Sequence, residues 1–222
     1  MDSFDSEGNE PGAPADVRHD STEPEAGDAA AAAQAKARRR RRARNEWIVL
    51  VVLTLVGTFL IRTYVVQSYR IPSGSMEQTL HGGCDPHCGK DRILVNKLAY
   101  KLHGIHHGDI VVFKATDPRW IEAVGGPEDI VKRVIGLPGD MVSCCDANGH
   151  VVRNGKSLNE PYVFQDDHKK FGPIKVPKGE LWVMGDHRSD SSDSRYNGFV
   201  PESSVVGHAF MRIWPISRIG FL

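Results

Sequence analysis

The tripeptide Ser73-Gly74-Ser75 carries the side chains best suited to covalent chemistry. It is followed by Met76 and lies about nine residues beyond the long apolar run of the chain. A serine hydroxyl becomes a good nucleophile only when a base removes its proton in the transition state. The chain contains no G-x-S-x-G and no H-E-x-x-H motif, and no serine lies three residues before a lysine. The sequence therefore offers a nucleophile without a familiar local base.

Lys132 is the candidate base because it interrupts an apolar, strand-like run that includes Ile130 and Val131. A neutral amine at pH 7 costs roughly 4.6 kcal/mol when the lysine pKa is about 10.4. Burial disfavours the ammonium form, and a pKa of about 8 would reduce that cost to about 1.4 kcal/mol. We therefore predict activity that rises toward alkaline pH. A snorkelling or edge lysine is the structural alternative.

A third polar segment, residues 185–196, places hydroxyls, carboxylates and two guanidinium groups in one turn-like stretch. By itself this composition is also typical of a solvated loop. Taken with Ser75 and Lys132, it predicts the remaining wall of a catalytic site.

These side chains follow a predicted membrane anchor. The basic segment 36–46 contains seven cations before the apolar run: Lys36, Arg38, Arg39, Arg40, Arg41, Arg42 and Arg44. Residues 47–61 are uncharged, and the span reaches residue 67 if Arg62 extends toward the interface. Cations that flank a first helix stay in the cytoplasm, so we predict a single-pass transmembrane helix over 47–67 with its N-terminus inside. A nucleic-acid-binding basic run and the apolar part of a cleaved secretory signal are the alternatives.

The segment that precedes the basic run is acidic. Residues 1–30 contain nine Asp and Glu against the single Arg18, and almost no large apolar side chains. Such a composition cannot bury enough surface to offset its ordering entropy. We predict a disordered cytoplasmic tail over residues 1–35.

The four cysteines all follow the anchor: Cys84, Cys88, Cys144 and Cys145. This position agrees with an oxidising, external compartment for the body of the protein. Four cysteines allow three pairings. A local bridge would join the first two, whereas the adjacent pair needs a strained ring or partners elsewhere. Structural disulfides are favoured over a zinc site, and we predict no metal and no cofactor.

The body of the chain reads as mainly β. Short β-type runs alternate with Gly, Pro and Asn, and cover residues 92–96, 109–113, 130–135, 181–184 and 205–213. Asn154-Gly155 has the preferred chemistry of a two-residue hairpin turn. Residues 95–102 could form a short helix, and residues 114–128 are predicted to be a surface loop. Together these patterns predict an antiparallel β-rich domain over residues 68–222.

Four ordered motifs make the chain resemble the bacterial type I signal peptidases, the serine-lysine leader peptidases of the cytoplasmic membrane, in a single-anchor form similar to actinobacterial members. They are PSGSM at 72–76 with Thr79-Leu80, GDIVVF at 108–113, KRVIGLPGD at 132–140, and GDHRSDSSDSRY at 185–196. The resemblance runs from the anchor to the C-terminus. It implies a signal-peptidase/LexA-like catalytic domain that is mainly β and preceded by one transmembrane helix.

The resemblance also assigns roles within the site. It implies that Ser75 is the acylating nucleophile, that Lys132 is the general base, and that the Ser191 hydroxyl holds the amine in place. The Ser75 backbone amide and the Ser73 hydroxyl would form the oxyanion hole, and Gly74 would let the backbone approach a substrate carbonyl.

Two ion pairs would support this site by the same resemblance. Asp193 would pair with Arg195, and Asp186 with Arg133. The chain departs from the commonest family pattern at His187, where Asn is frequent, and in the loops that carry its cysteines.

The resemblance further implies the substrate, a secretory preprotein cut outside the membrane after a small-x-small site such as Ala-x-Ala. Its cleavage site would bind as an extended strand. The pocket residues implied by the family, for each of which core packing is the alternative, are Ile71, Pro72, Met76, Leu80 and Val131. Preproteins and membrane lipids are the expected partners and the secretion translocon is a candidate partner, with no nucleic acid.

Two other functions compete with this one. A self-cleaving LexA-like repressor would need a DNA-binding module, for which the tail and anchor leave no room. An anchored β-rich scaffold with a degenerate site would be favoured by loss of Ser75 or Lys132, and both are present.

Overall fold

The computed structural model describes residues 23–82, 90–126 and 128–222. The chain divides into two compact units at the Val56–Gly57 junction. Within its described residues the first unit is helical, and the second is built mainly from antiparallel strands. The predicted fold class, a mainly β domain after one apolar helix, is confirmed.

Helix α1 spans Glu23–Leu60 and continues as a π-helical segment, Ile61–Val65. Residues 23–35 are therefore helical where the sequence predicts a disordered tail, because an alanine-rich stretch has high helix propensity. Residues 1–22 of that predicted tail lie outside the described residues. Among the described residues, one stretch, Arg38–Val65, is long and apolar enough to cross a membrane.

Strand β1, Val66–Arg70, begins inside the predicted 47–67 span. Val66 and Gln67 pair with Asn96 and Val95 of the next strand, so their backbone groups belong to the sheet. The predicted helix therefore extends two residues too far, since apolar composition alone does not show where strand pairing starts.

The larger sheet contains eight strands in the order β1-β2-β11-β3-β4-β9-β10, with β12 paired to β11. Its strands are β1, β2 (Arg92–Asn96), β3 (Ile110–Lys114), β4 (Asp129–Gly136), β9 (Glu180–Met184), β10 (Val200–Pro201), β11 (Val205–Trp214) and β12 (Gly220–Phe221). Strand β3 is central and almost wholly buried, and β4 beside it buries both of its faces over most of its length. A lysine in β4 is consequently forced into a dry environment.

The smaller sheet has the order β7-β6-β5-β8, formed by Met141–Cys144 (β5), Val151–Arg153 (β6), Lys156–Ser157 (β7) and Phe171–Lys175 (β8). Asn154 and Gly155 join β6 to β7 with positive φ angles of 52° and 78°, as a type I′ turn requires. The predicted hairpin is therefore confirmed, whereas β1, β5, β8, β10 and β12 were not predicted.

Three short α-helices lie outside the strands in the described residues: α2 (Ala99–Leu102), α3 (Pro118–Val124) and α4 (Ser194–Asn197). Short 3₁₀ turns are also present, one of them at Gly74–Met76. Helix α2 is shorter than predicted, because residues 95–96 belong to β2. Helix α3 corrects the predicted 114–128 loop. Asp117 caps α3 by accepting the Arg119 amide, and Gly125 ends it in the left-handed region with φ 79°.

Three apolar clusters form the core. One lies under β1–β4 and β11 and includes Met76 and Val131, and a second joins Phe113 to Trp120 of α3 edge to face at 5.1 Å. The third, around Trp182, fills the space where β9 contacts the smaller sheet. Each fully buried large side chain contributes roughly 1.5–3 kcal/mol. These clusters fix β4 and the Gly74–Met76 turn against each other.

Candidate active site

Ser75, the predicted nucleophile, lies in the buried 3₁₀ turn Gly74–Met76, a few residues after β1 ends. The Met76 side chain anchors this turn in the core at 1% exposure. Gly82 packs directly on the turn, because a Cβ at this position would collide with the Ser73 carbonyl oxygen and nitrogen. The sequence reasoning missed Gly82, which belongs to no motif and is required only by this close approach.

Lys132 reaches the nucleophile from the middle of β4. Its Nζ donates a 2.6 Å hydrogen bond to Ser75 Oγ, and the two residues are 4% and 7% exposed. They are 57 positions apart in the chain, so the fold alone creates the contact. A neutral amine in this place can remove the hydroxyl proton directly.

Burial lowers the pKa of Lys132 from 10.5 to about 8. Removal of water from around the ammonium is the largest cause. The carboxylates of Asp193, Asp186 and Asp190 raise the pKa and oppose this effect, while the Arg195 guanidinium lowers it. The lysine is thus tuned toward the range in which it can act as a base near neutral pH.

Asp193 and Arg195 form a buried pair beside the dyad, with Nε and Oδ1 2.9 Å apart. Asp193 also accepts the Gly185 amide at 3.0 Å, and Arg195 donates to the Arg188 carbonyl at 2.6 Å and to Asp167 at 2.7 Å. The pair therefore ties both ends of the 185–196 segment together and fixes its position beside Lys132.

Asp186 and Arg133 form the second predicted ion pair, which is bidentate with distances of 2.8 and 2.7 Å. Arg133 also donates to the Gly108 carbonyl at 2.8 Å, and its guanidinium lies 3.9 Å from the centre of the Tyr162 ring. The Thr79 hydroxyl donates to Asp186 at 2.5 Å. This network joins the segment after the nucleophile to β4 and β9.

The two other serines occupy different positions around Ser75. Ser73 Oγ lies 3.3 Å from Ser75 Oγ, where it can contact an atom that Ser75 attacks. Ser191 Oγ is buried but has no hydrogen-bond partner among the described residues, and it lies against Gly185. The expected hydrogen bond between Lys132 and Ser191 is therefore absent from the structure, in which Lys132 Nζ bonds to Ser75 Oγ.

A cleft of about 330 Å³ opens beside the dyad. Its apolar wall comes from three places: the segment before the nucleophile, β4 and the end of α3. The residues that line it are Pro72, Ser73, Ser75, Met76, Ala123, Val124, Glu128, Asp129, Ile130, Val131, Lys132, Asp190 and Ser192. Ser75 and Lys132 thus lie together at the wall of an open groove.

Comparisons with known proteins show the family to which the chain belongs. Residues 44–214 match the family described as signal peptidase, peptidase S26. The chain belongs to the signal peptidase family, peptidase S26. It is therefore an enzyme of the kind that removes signal peptides.

Individual relatives carry the same name. The chain is 40% identical over 181 residues to a probable signal peptidase I-2 of Synechocystis, covering 80% of this chain and 78% of that one. It is 35% identical over 221 residues to signal peptidase I of Mycobacterium tuberculosis, covering 79% and 74%. A crystal structure of a signal peptidase I from Enterococcus faecalis overlaps 47% of this chain and 95% of its own at 31% identity and a TM-score of 0.37, from which we draw no structural conclusion.

Three of the five predicted pocket residues lie at the cleft, and their role in binding substrate stays a prediction. Pro72, Met76 and Val131 line the cleft. Ile71 and Leu80 are not among the residues that line it, and pack in the same core cluster to which Met76 and Val131 also belong. Apolar type alone could not distinguish a core position from a cleft position.

His187 is a further neighbour that the sequence reasoning did not assign to the site. Its backbone amide donates to the Ser75 carbonyl at 3.1 Å, and its Nε2 lies 3.1 Å from Gln165 Oε1. Its Nδ1 is buried without a hydrogen bond and lies 3.9 Å from Glu77 Oε2. Its place in the polar 185–196 segment was the available signal.

The cysteine predictions are resolved for one pair. Cys144 and Cys145 at the end of β5 are joined by a disulfide. Cys84 and Cys88 lie outside the described residues. Within residues 23–82, 90–126 and 128–222, no group of three or more His, Cys, Asp or Glu side chains is arranged to hold a metal ion.

Proposed function

We propose that this chain is a membrane-anchored serine endopeptidase that removes N-terminal signal peptides from exported preproteins after small-x-small sites, with Ser75 as nucleophile and Lys132 as general base. The observation that carries the proposal is the 2.6 Å contact between Lys132 Nζ and Ser75 Oγ in a buried setting. An amine with a pKa of about 8 is neutral in roughly a tenth of molecules at pH 7.

The reaction proceeds in two halves. When Lys132 is neutral, its lone pair takes the Ser75 proton while Oγ attacks the carbonyl carbon of the scissile bond. The resulting ammonium gives that proton to the leaving amine, so the mature protein departs and an acyl-enzyme remains. Lys132, neutral again, then takes a proton from a water molecule as its oxygen attacks the acyl carbon. The ammonium returns that proton to Ser75 Oγ as the bond to the signal peptide breaks, which restores both Ser75 and Lys132.

The oxyanion that forms in each half needs hydrogen-bond donors at a fixed position. The Ser75 backbone amide and the Ser73 hydroxyl are the proposed donors. The 3.3 Å distance between the Ser73 and Ser75 hydroxyl oxygens supports this role, since a carbonyl under attack at Ser75 would lie within reach of Ser73.

The cleft supports an extended substrate. Residues 129–132 of β4 pair with β3 on one side, while β9 pairs only from Arg133 onward. Residues 129–132 thus keep one strand edge free of strand pairing among the described residues, at the wall of the cleft. A peptide that adds to this edge places alternate side chains on the same face, which favours small residues at the first and third positions before the cut.

The anchor supports action at the membrane surface. The cations of 36–46 favour a cytoplasmic N-terminus and an extracytoplasmic catalytic domain. From Val65 to Ser75 the chain spans ten residues, which reach at most about 36 Å. A signal peptide that leaves the bilayer would present its cleavage site in the same zone. Membrane lipids and the secretion translocon are the proposed partners there.

The full-length protein in detergent micelles should cut a preprotein after an Ala-x-Ala site, as read by N-terminal sequencing of the product. Ser75→Ala should abolish cleavage, and Lys132→Met should reduce it by about 10²–10⁴-fold. Ser203→Ala and Lys114→Met change exposed residues of the same types and serve as controls. Full cleavage by either dyad variant would disprove the assignment.

A further inference from the structure

A cluster of three cations and a tryptophan lies on the larger sheet, apart from the catalytic cleft. Arg70 ends β1, Arg92 begins β2, Lys90 precedes it, and Trp214 ends β11. Together they line a groove of about 410 Å³. None of them lines the cleft that holds the dyad, so the reaction gives them no role.

The strand register brings the cations together. Arg70 is the cross-strand partner of Arg92, which is in turn the partner of Trp214. The Ile71 amide bonds to the Asp91 carbonyl at 2.9 Å, so the neighbouring Arg70–Arg92 pair is a non-hydrogen-bonded one, in which side chains lie closer. Like charges directly opposite each other destabilise a sheet. An anion bound between the two guanidinium groups would remove this repulsion.

No carboxylate within the described residues neutralises this cluster. Arg70, Lys90 and Arg92 are exposed, and none of them forms an ion pair in that part of the chain. The nearest candidate in sequence, Asp91, is fully buried and already pairs with Arg218 at 3.0 Å. Among the described residues, the positive charge of the cluster is therefore available for a ligand.

The surroundings of the cluster indicate which anion binds. Trp214 is 49% exposed, and the chain after it exposes Ile216, Ile219 and Phe221 at 72%, 51% and 82%. Tryptophan beside cations and exposed apolar side chains is typical of the interfacial layer of a bilayer. Strand β1 starts directly after Val65, the last residue of the helix that is long enough to cross a membrane. A free anion would not need these apolar neighbours.

We propose that Arg70, Lys90 and Arg92 bind the phosphate of an anionic phospholipid headgroup, with Trp214 in the interfacial layer beside it. The two guanidinium groups donate hydrogen bonds to phosphate oxygens, and the lysine adds a third positive charge. Arg70 lies five residues before Ser75, so the bound lipid fixes the entry to the nucleophile turn within about 18 Å of the bilayer surface.

The test uses the full-length protein in nanodiscs of phosphatidylcholine with about 30% phosphatidylglycerol. Two preparations are compared, in which either the phosphatidylglycerol or the phosphatidylcholine carries brominated acyl chains that quench the fluorescence of nearby tryptophans. The fluorescence of Trp214 is obtained by subtracting the spectrum of Trp214→Phe from that of wild type. Brominated phosphatidylglycerol should quench Trp214 about twofold more than an equal amount of brominated phosphatidylcholine. The preference should disappear in R70Q/R92Q. It should persist in K156Q/K175Q, which removes two exposed cations from the smaller sheet.

Native mass spectrometry of lipids retained by each variant gives a second measurement that does not depend on Trp214→Phe folding. Wild type should retain phosphatidylglycerol in preference to phosphatidylcholine, and R70Q/R92Q should not. The proposal would be overturned if both brominated lipids quenched Trp214 equally. It would also be overturned if R70Q/R92Q and K156Q/K175Q lost the preference for phosphatidylglycerol to the same extent. Tight binding of inorganic phosphate in micelles together with no lipid preference would overturn it too, because that result identifies a free-phosphate site. The preprotein cleavage assay in micelles does not depend on lipid binding. It therefore tests the proposed catalytic function separately from this proposal.

Discussion

The rate of preprotein cleavage should follow the deprotonation of Lys132. Its pKa is lowered from 10.5 to about 8, mainly because the amine is buried. Only the neutral amine can accept the Ser75 proton, so the neutral fraction is about 1% at pH 6, about 10% at pH 7 and about 90% at pH 9. The value of kcat/KM should therefore rise about 90-fold from pH 6 to pH 9 and then level off.

Asp190→Asn perturbs this profile without touching the dyad. Asp190 is exposed at the cleft, forms no ion pair within the described residues, and raises the pKa of Lys132 through its negative charge. Removing that charge should lower the Lys132 pKa and move the rising limb to lower pH. For each decrease of about 0.3 unit in the Lys132 pKa, kcat/KM at pH 7 should double as a fraction of its high-pH plateau. Asp166→Asn removes a similar charge that does not act on Lys132 and should leave the limb in place.

The assay is kcat/KM on a soluble peptide that contains an Ala-x-Ala site and no group titrating between pH 6 and 9. The full-length enzyme is kept in micelles at constant ionic strength, because screening changes exposed charge effects. A profile that is flat over this range, or whose midpoint lies near 10.5, would refute the claim that burial activates Lys132. If Asp190→Asn moved the rise in kcat/KM to higher pH, the claim that the Asp190 charge raises the pKa of Lys132 would be refuted.

Two substitutions test the packing around the dyad. Lys132→Met should raise the free energy of unfolding by up to about 3 kcal/mol at pH 7 in urea titrations, because the cost of a buried amine with a depressed pKa is complete below pH 8. The difference in the free energy of unfolding between this variant and wild type should vanish as pH rises from 8 through 10.5. If no difference were found at pH 7, the claim that the Lys132 amine is buried would be contradicted. Gly185→Ala should lower kcat/KM at least about tenfold, because its Cβ would collide with Ser191 Oγ and the Ser75 carbonyl oxygen. Gly126→Ala, whose Cβ meets nothing nearby, is the matched control, and equal activity of the two variants would exclude this crowding.

The parts of the fold that the sequence predicted are those with strong local signals. Asn154-Gly155 specified its turn by backbone chemistry alone, and β2 was bounded correctly by its apolar pattern. Lys132 was placed correctly in a strand because apolar residues surround it on both sides. Its contact with Ser75 was inferred from its choice as the candidate base and from the family resemblance, since no local pattern links positions so far apart.

The main errors come from tertiary contacts. Residues 114–128 contain Pro and Gly, which favoured a loop, yet the same Pro118 and Gly125 mark the two ends of α3. Burial of Trp120 against Phe113 stabilises this helix, and the sequence does not show that contact. Because Ala123 at the end of α3 lines the cleft, the missed helix also hid one wall of the substrate site.

The pKa of Lys132 is set by two opposing effects, and their balance favours catalysis. Burial lowers the pKa, while the carboxylates of Asp193, Asp186 and Asp190 raise it. Burial alone would lower the pKa further and leave the amine neutral in more molecules, but a weaker base removes the Ser75 proton less readily. Full solvation would give a stronger base that is almost always protonated at pH 7. A pKa of about 8 lies close to the operating pH, where the product of neutral fraction and base strength is near its maximum. The carboxylates around the dyad therefore act on the rate through Lys132, without exchanging protons with the substrate.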